Sequence, residues 1–110
     1  MDKIETGNIV LLKFSFTDGI TYKRRPALLL KDFEDGDLLV CRITSKIYKS
    51  KYDIYFDNWA KLGLKLPSVV RVHKMATLEK DTIEAIMGQI DETTLEKVKS
   101  LYTSILFEQA

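Results

Sequence analysis

The chemistry-bearing residues of this chain fall in one stretch. Lys23-Arg24-Arg25 is the densest basic cluster, and Arg42, Lys46, Lys49 and Lys51 follow it. Phe16, Tyr22, Tyr48, Tyr52 and Trp59 flank those segments, and Thr44-Ser45 stands between them. Clustered cations attract phosphates, and exposed aromatics beside them could stack unpaired bases. The same residues also suit a set of ordinary solvated side chains, since charge runs most often form a wetted face. Residues 1–80 carry a balance of +5 and residues 81–110 a balance of −4, so the whole is nearly neutral at +1. A globally basic nucleic-acid binder is not indicated, and any phosphate site must be local.

Other chemistries find little material. The single cysteine, Cys41, excludes an intrachain disulfide scaffold, a Cys-rich zinc site and a paired-thiol redox motif. The single histidine, His73, excludes a His-rich metal site. His73 shares a strand face with Arg71, where it could act as an acid or base or simply sit against neighbours. Cys41 lies within an apolar run beside Arg42 and reads as core. No apolar run approaches the roughly 20 residues that span a bilayer, and the N-terminus lacks a signal-peptide pattern. The expectation is a cytoplasmic protein with a reduced thiol and no membrane partner.

At 110 residues and 45% hydrophobic, the chain is expected to form a single domain over residues 1–110. Short β-rich runs occur at residues 9–14, 26–30, 38–44, 52–56, 68–75 and 84–90. Thr17-Asp18-Gly19 and Asp35-Gly36-Asp37 are turn signals. The polar residues up to Arg25 read as loop, residues 46–51 as a polar and mobile segment, residues 57–62 as a short helical turn ended by Gly63, and residues 77–83 as another turn. Trp59 reads as the anchor of the first turn to the sheet. Asp91 is a good helix cap, and Leu95, Val98, Leu101, Tyr102, Ile105 and Leu106 then recur at helical spacing. The pattern predicts a mainly β (α+β) fold: a small, strongly bent antiparallel sheet or barrel of five to seven short strands with a C-terminal helix. So thin a core would gain from dimerisation.

Four segments in order resemble a known family. They are Gly7-Asn8-Ile9-Val10-Leu11-Leu12-Lys13-Phe14-Ser15-Phe16-Thr17-Asp18-Gly19, Lys23-Arg24-Arg25-Pro26-Ala27-Leu28-Leu29-Leu30, Leu38-Leu39-Val40-Cys41-Arg42-Ile43-Thr44-Ser45, and the run from Pro67-Ser68-Val69-Val70 to Ala76-Thr77-Leu78. Ile86-Met87-Gly88-Gln89-Ile90 and the terminal helix also fit. The set is similar to the MazF/PemK toxins of type II toxin–antitoxin systems over about residues 6–106. The resemblance implies an SH3-like, plasmid-maintenance-toxin barrel that forms a homodimer. It implies an endoribonuclease (an mRNA interferase) that cuts single-stranded RNA with sequence selectivity and needs no metal or other cofactor. The ribose 2′-OH attacks its own phosphate, leaving a 2′,3′-cyclic phosphate and a 5′-OH. A cognate antitoxin blocks the RNA groove with a disordered segment.

The same resemblance makes Arg25 and Thr44 the catalytic candidates. Phe16, Asp18, Tyr22, Lys23, Arg24, Ser45, Lys46 and Arg71 are then the candidates for RNA binding. A guanidinium grips two phosphate oxygens at once, and a hydroxyl donates one more hydrogen bond. Without the family, Arg25 could equally pair with Asp32 or Asp37, and Thr44 could reflect strand propensity alone. The chain departs from the family in a short first loop that lacks the glutamate several relatives carry before Arg-Pro, with Asp18 the nearest acid and Tyr22 on the approach, and in Arg42 at a position where many relatives carry a small residue or proline. Two other functions remain open at this level: a non-catalytic toxin of the same fold blocking a protein such as DNA gyrase, or a degenerate module that binds nucleic acid without cutting it.

Overall fold

The structure, a computed structural model, describes residues 3–15 and 18–108. Six strands and one long helix follow in chain order: β1 (Asn8–Ser15), β2 (Tyr22–Asp32), β3 (Asp37–Thr44), β4 (Asp53–Tyr55), β5 (Val69–Glu79), β6 (Ile83–Gln89) and α1 (Glu92–Phe107). All six form one antiparallel sheet in the order β4-β5-β3-β2-β1-β6. The short 3-10 turn Lys80–Thr82 carries the chain from β5 beside β3 to β6 beside β1. It is pinned to the β2–β3 hairpin, where the Lys80 N–H donates to the Gly36 carbonyl at 2.8 Å and Lys80 Nζ reaches Asp32 at 3.1 Å. No helix among the described residues is long and apolar enough to cross a membrane.

The central strands are apolar on both faces, which explains why residues 9–12 and 27–30 read as continuous runs rather than alternating ones. One face buries Ile9, Leu28, Cys41, Ile43, Val70 and Val72 under α1, whose Val98 is itself buried. The other wraps around Val10, Leu12, Ala27, Leu29, Leu38 and Val40. Such two-sided burial requires the sheet to curl, and register shifts in the β1–β6, β2–β3 and β3–β5 ladders supply the bends. The Asp91 carboxylate accepts the Thr94 N–H at 2.7 Å and starts α1 as its sequence predicts.

Three readings from sequence are corrected. Tyr22 to Arg25 are not loop: they are the outer half of β2, paired with β1 from Ser15↔Tyr22 to Leu12↔Arg25. Their side chains are all exposed, so no hydrophobic period marks the strand. β5 likewise runs on to Glu79, leaving only Lys80–Thr82 as a turn. Residues 57–63 form overlapping turns rather than a helix, closed by bonds such as Leu64 N–H to the Trp59 carbonyl at 3.1 Å. Trp59 does pack on the main core.

Those turns lie directly against β6. A Cβ added to Gly88 would sit 2.8 Å from the Leu62 carbonyl oxygen, and one added to Gly63 would sit 2.7 Å from the Met87 carbonyl oxygen. Gly63 also has φ +81, a conformation that suits glycine. Two backbones therefore touch where any side chain would part them. Gly88→Ala, whose backbone is unstrained, should destabilise the protein by about 2 kcal/mol through overpacking alone. In thermal denaturation that is a fall of roughly 10 °C in Tm for a chain this size.

Edge strand β4 meets β5 at only three positions, Asp53↔Arg71, Ile54↔Val70 and Tyr55↔Val69. An ion pair reinforces the first: Arg71 Nε donates to Asp53 Oδ1 at 2.9 Å, with the Asp53 side chain 1% exposed. Burial pushes the Asp53 carboxyl up, but the bonds from Arg71 and Ser50 outweigh it and hold it below the ordinary carboxylate value. A carboxyl depressed in the folded state stabilises above its unfolded pKa of about 4, and that contribution disappears as pH falls through the folded value. Asp53→Asn should cost about 3 kcal/mol at neutral pH by leaving Arg71 uncompensated. Urea unfolding against pH should then show a shallower acid limb than in the wild type.

Candidate nucleic-acid interface

The β2–β3 ladder ends at Ala27↔Arg42, immediately beside Pro26. Proline has no N–H to donate, so the ladder lacks a bond at that point. Each strand keeps its other neighbour: β2 follows β1 out to Tyr22, and β3 follows β5 to Thr44↔Val69. Between them opens a cleft of about 600 Å³. Arg24, Arg25 and Pro26 line one side, and Arg42, Ile43, Thr44 and Ser45 the other. Leu64, Lys65, Leu66 and Met87 contribute the wall that the Gly63–Gly88 contact holds in place. No lining residue is acidic.

Arg25 and Thr44 thus share one cleft although 19 positions separate them. Continuing the register Ala27↔Arg42 by two places sets them opposite each other. Arg25 is exposed, and its Nη1 donates to the Arg24 carbonyl at 3.0 Å. Neither Asp32 nor Asp37 claims it, since Asp32 pairs with Lys80 and no carboxylate among the described residues pairs with Arg25. The rest of the guanidinium fork is open to an anion. Thr44 is half-buried, and its Oγ1 accepts the Lys46 N–H at 3.2 Å. With one lone pair engaged by the backbone, the hydroxyl proton is left to be donated.

The other candidates divide. Ser45 is exposed in the cleft lining, whereas Lys23 and Lys46 are exposed but outside that lining, Lys46 Nζ lying 5.1 Å from the Tyr48 ring centroid. Tyr22 is exposed and carries Lys13 Nζ 4.0 Å over its ring. Arg24 lines the cleft, but Glu84 holds it through two bonds, at 2.7 and 3.1 Å. That contact lowers the Glu84 carboxyl and raises the guanidinium. Arg71 lies outside the lining, bound to Asp53 and covered by the Tyr48 ring at 3.6 Å. Asp18 closes its own loop by accepting from the Ile20 N–H, the Thr21 N–H and the Thr21 hydroxyl. These bonds, led by the Thr21 hydroxyl, keep its carboxyl ionised to lower pH than usual. Phe16 lies outside the described residues. Sequence reasoning assigned no role to Lys65, and nothing in Gly63-Leu64-Lys65-Leu66 flags it.

Two potential nucleophiles or bases stand elsewhere. Cys41 is fully buried, and desolvation raises its thiol to about 12. His73 is absent from the cleft lining and packs on the Tyr52 ring at 5.0 Å. Its Nδ1 is buried without a hydrogen-bond partner, and burial, then Arg71 and Lys74, push its pKa down. Tyr52 itself donates to Glu108 at 3.1 Å, beside the Lys51–Glu108 pair, which ties residues 51–52 to the end of α1. Among the described residues no group of His, Cys, Asp and Glu is arranged to hold a metal ion.

Comparison with known proteins bears on the fold and the family. The fold matches MazF in a MazE–MazF complex from Deinococcus radiodurans with a TM-score of 0.78, at 22% identity over 96% of this chain and 97% of that one. It matches a mycobacterial endoribonuclease in complex with its cognate antitoxin with a TM-score of 0.73, at 16% identity over 98% and 99% of the two chains. The Mycobacterium tuberculosis toxin MazF-mt6 gives a TM-score of 0.74 at 19% identity, over 94% and 99%. A family model of the PemK-like, MazF-like toxin of type II toxin–antitoxin systems matches residues 5–106. A cleft built between Arg25 and Thr44, on a sheet of this topology and with that match over nearly its whole length, makes this chain a member of the PemK/MazF toxin family.

Proposed function

We propose that the protein is an endoribonuclease toxin that cuts single-stranded RNA in the cleft between β2 and β3. The observation that carries this reading is the convergence of Arg25 and Thr44, neither of them claimed by a carboxylate, on one acid-free cleft. The ribose 2′-OH gives up its proton to solvent as its oxygen attacks the adjacent phosphorus, the bond from phosphorus to the 5′-oxygen breaks, that oxygen takes up a proton from solvent, and a 2′,3′-cyclic phosphate and a 5′-OH remain. Negative charge grows on the non-bridging oxygens as phosphorus becomes five-coordinate, so preorganised donors act where the charge appears. Arg25 supplies the fork and Thr44 a hydroxyl. An always-charged guanidinium is a poor proton acceptor, so Arg25 serves by binding and charge stabilisation. Lys23, Ser45 and Lys46 hold the flanking strand, and Tyr22 offers an exposed ring for an unpaired base.

The solved relatives include toxins bound to MazE or to a cognate antitoxin. By the same chemistry, an antitoxin segment bearing carboxylates would occupy the cationic cleft and exclude RNA. We further propose a cytoplasmic homodimer. Leu106 and Phe107 at the end of α1 are 51% and 76% exposed, apolar area that a second copy would cover.

Purified protein in excess EDTA should cut a long unstructured RNA into discrete fragments with 5′-OH ends. Arg25→Ala should lower the rate roughly 100-fold or more, and Thr44→Ala somewhat less, as for loss of a charge-stabilising donor. Equal cutting by wild type and Arg25→Ala would refute the assignment. No cutting by the wild type would favour a non-catalytic toxin. Sedimentation at micromolar concentration should return twice the 12.7 kDa chain mass, and a monomer would remove the dimer.

A further inference from the structure

Besides Arg25 and the Glu84-bound Arg24, the cleft holds two cations that catalysis by Arg25 and Thr44 does not use. Arg42 precedes Thr44 by two residues on β3, so both project from the same face, roughly 7 Å apart along the strand. Lys65 comes from the opposite wall, on the segment fixed by the Leu64 N–H to Trp59 carbonyl bond. Both side chains are exposed, and among the described residues no carboxylate pairs with either. This contrasts with Arg24 and Arg71, which Glu84 and Asp53 neutralise.

The placement of Arg42 carries an electrostatic cost. It is the Cα partner of Arg71 across the β3–β5 ladder, and like charges directly opposite each other are unfavourable. Asp53 relieves Arg71 alone. An anion bound between Arg42 and Lys65 would relieve the other half. At about 600 Å³ the cleft is the size of one that encloses a drug-sized molecule, more than a single phosphate needs.

We propose that Arg42 and Lys65 form a second phosphate-binding position, which takes the RNA phosphate next to the one that reacts. The inference rests on the RNA-cleaving reading above. It makes the pair positioning groups: they fix the strand so that the neighbouring phosphate meets Arg25 and Thr44. Their contribution is present before and during reaction alike, so it affects binding rather than turnover.

The test uses full-length protein and a single-stranded RNA oligonucleotide whose 2′-hydroxyls are O-methylated, which blocks the attacking group. Affinity is measured as a function of salt. Each phosphate contact on a single strand contributes about 0.7 to the slope of log K against log salt. Arg42→Gln and Lys65→Gln should each reduce the slope by about 0.7, and the double variant by about 1.4, at every base sequence tried. Arg42→Lys should restore the slope. On cleavable RNA the Gln variants should raise KM several-fold with kcat retained. Wild-type binding whose slope the Gln variants leave unchanged would overturn the second position while leaving the nuclease intact. A loss confined to particular base sequences would make Arg42 a base reader and overturn it equally. Wild type that neither binds nor cuts would remove both readings.

Discussion

The contact between Gly63 and Gly88 is the constraint on which the cleft depends. The sheet is not closed by hydrogen bonds, since β4 and β6 remain its two edges. What stands against β6 is a series of turns whose backbone touches it without a side chain between. That contact fixes Leu64, Lys65 and Leu66 as one wall. The opposing walls exist because Pro26 ends a ladder while each strand retains its other neighbour. The cleft is therefore a fault in a continuous sheet, held open on one side by a missing donor and bounded on the other by two missing side chains.

Charge is distributed around that opening by pairing. Glu84 takes Arg24, Asp53 takes Arg71, Asp32 takes Lys80 and Glu108 takes Lys51. The partly buried Arg71–Asp53 pair holds an edge strand, while the exposed pairs contribute little stability each. Their effect is to leave positive potential on Arg25, Arg42 and Lys65. A chain with a net charge of +1 thereby acquires a cationic site without being a basic protein.

Much of this was legible from residues. The β-rich runs located all six strands, Asp91 located the helix start, and the ordered family segments pointed to Arg25 and Thr44, which line one cleft. The outer half of β2 was not legible, because four exposed polar side chains present no period even though the backbone is paired to β1 throughout. The division of the cations was equally hidden: Arg24 and Glu84 lie 60 positions apart, and only the β1–β2 and β1–β6 registers bring them together. Arg71 was a candidate for RNA binding, and its capture by Asp53 depends on β4 folding back beside β5. Gly88 did carry a cue, since an isolated glycine within a strand often marks a close backbone approach. The identity of the approaching segment was not in that cue. Tyr48 and Tyr52, which suggested base stacking, are occupied by Arg71 and by His73 with Glu108.

Cys41 has a different kind of consequence. It lies at 0% exposure between the central strands, beneath the helix-covered face, and it is the chain's sole thiol. A thiol must reach solvent and ionise before it reacts, and here both requirements are opposed by the same packing. Peroxide or a disulfide reagent therefore has no point of attack on the closed molecule. The rate at which such a reagent is consumed by the native protein would record how often the sheet parts from α1, so the residue is an internal clock for breathing of the fold.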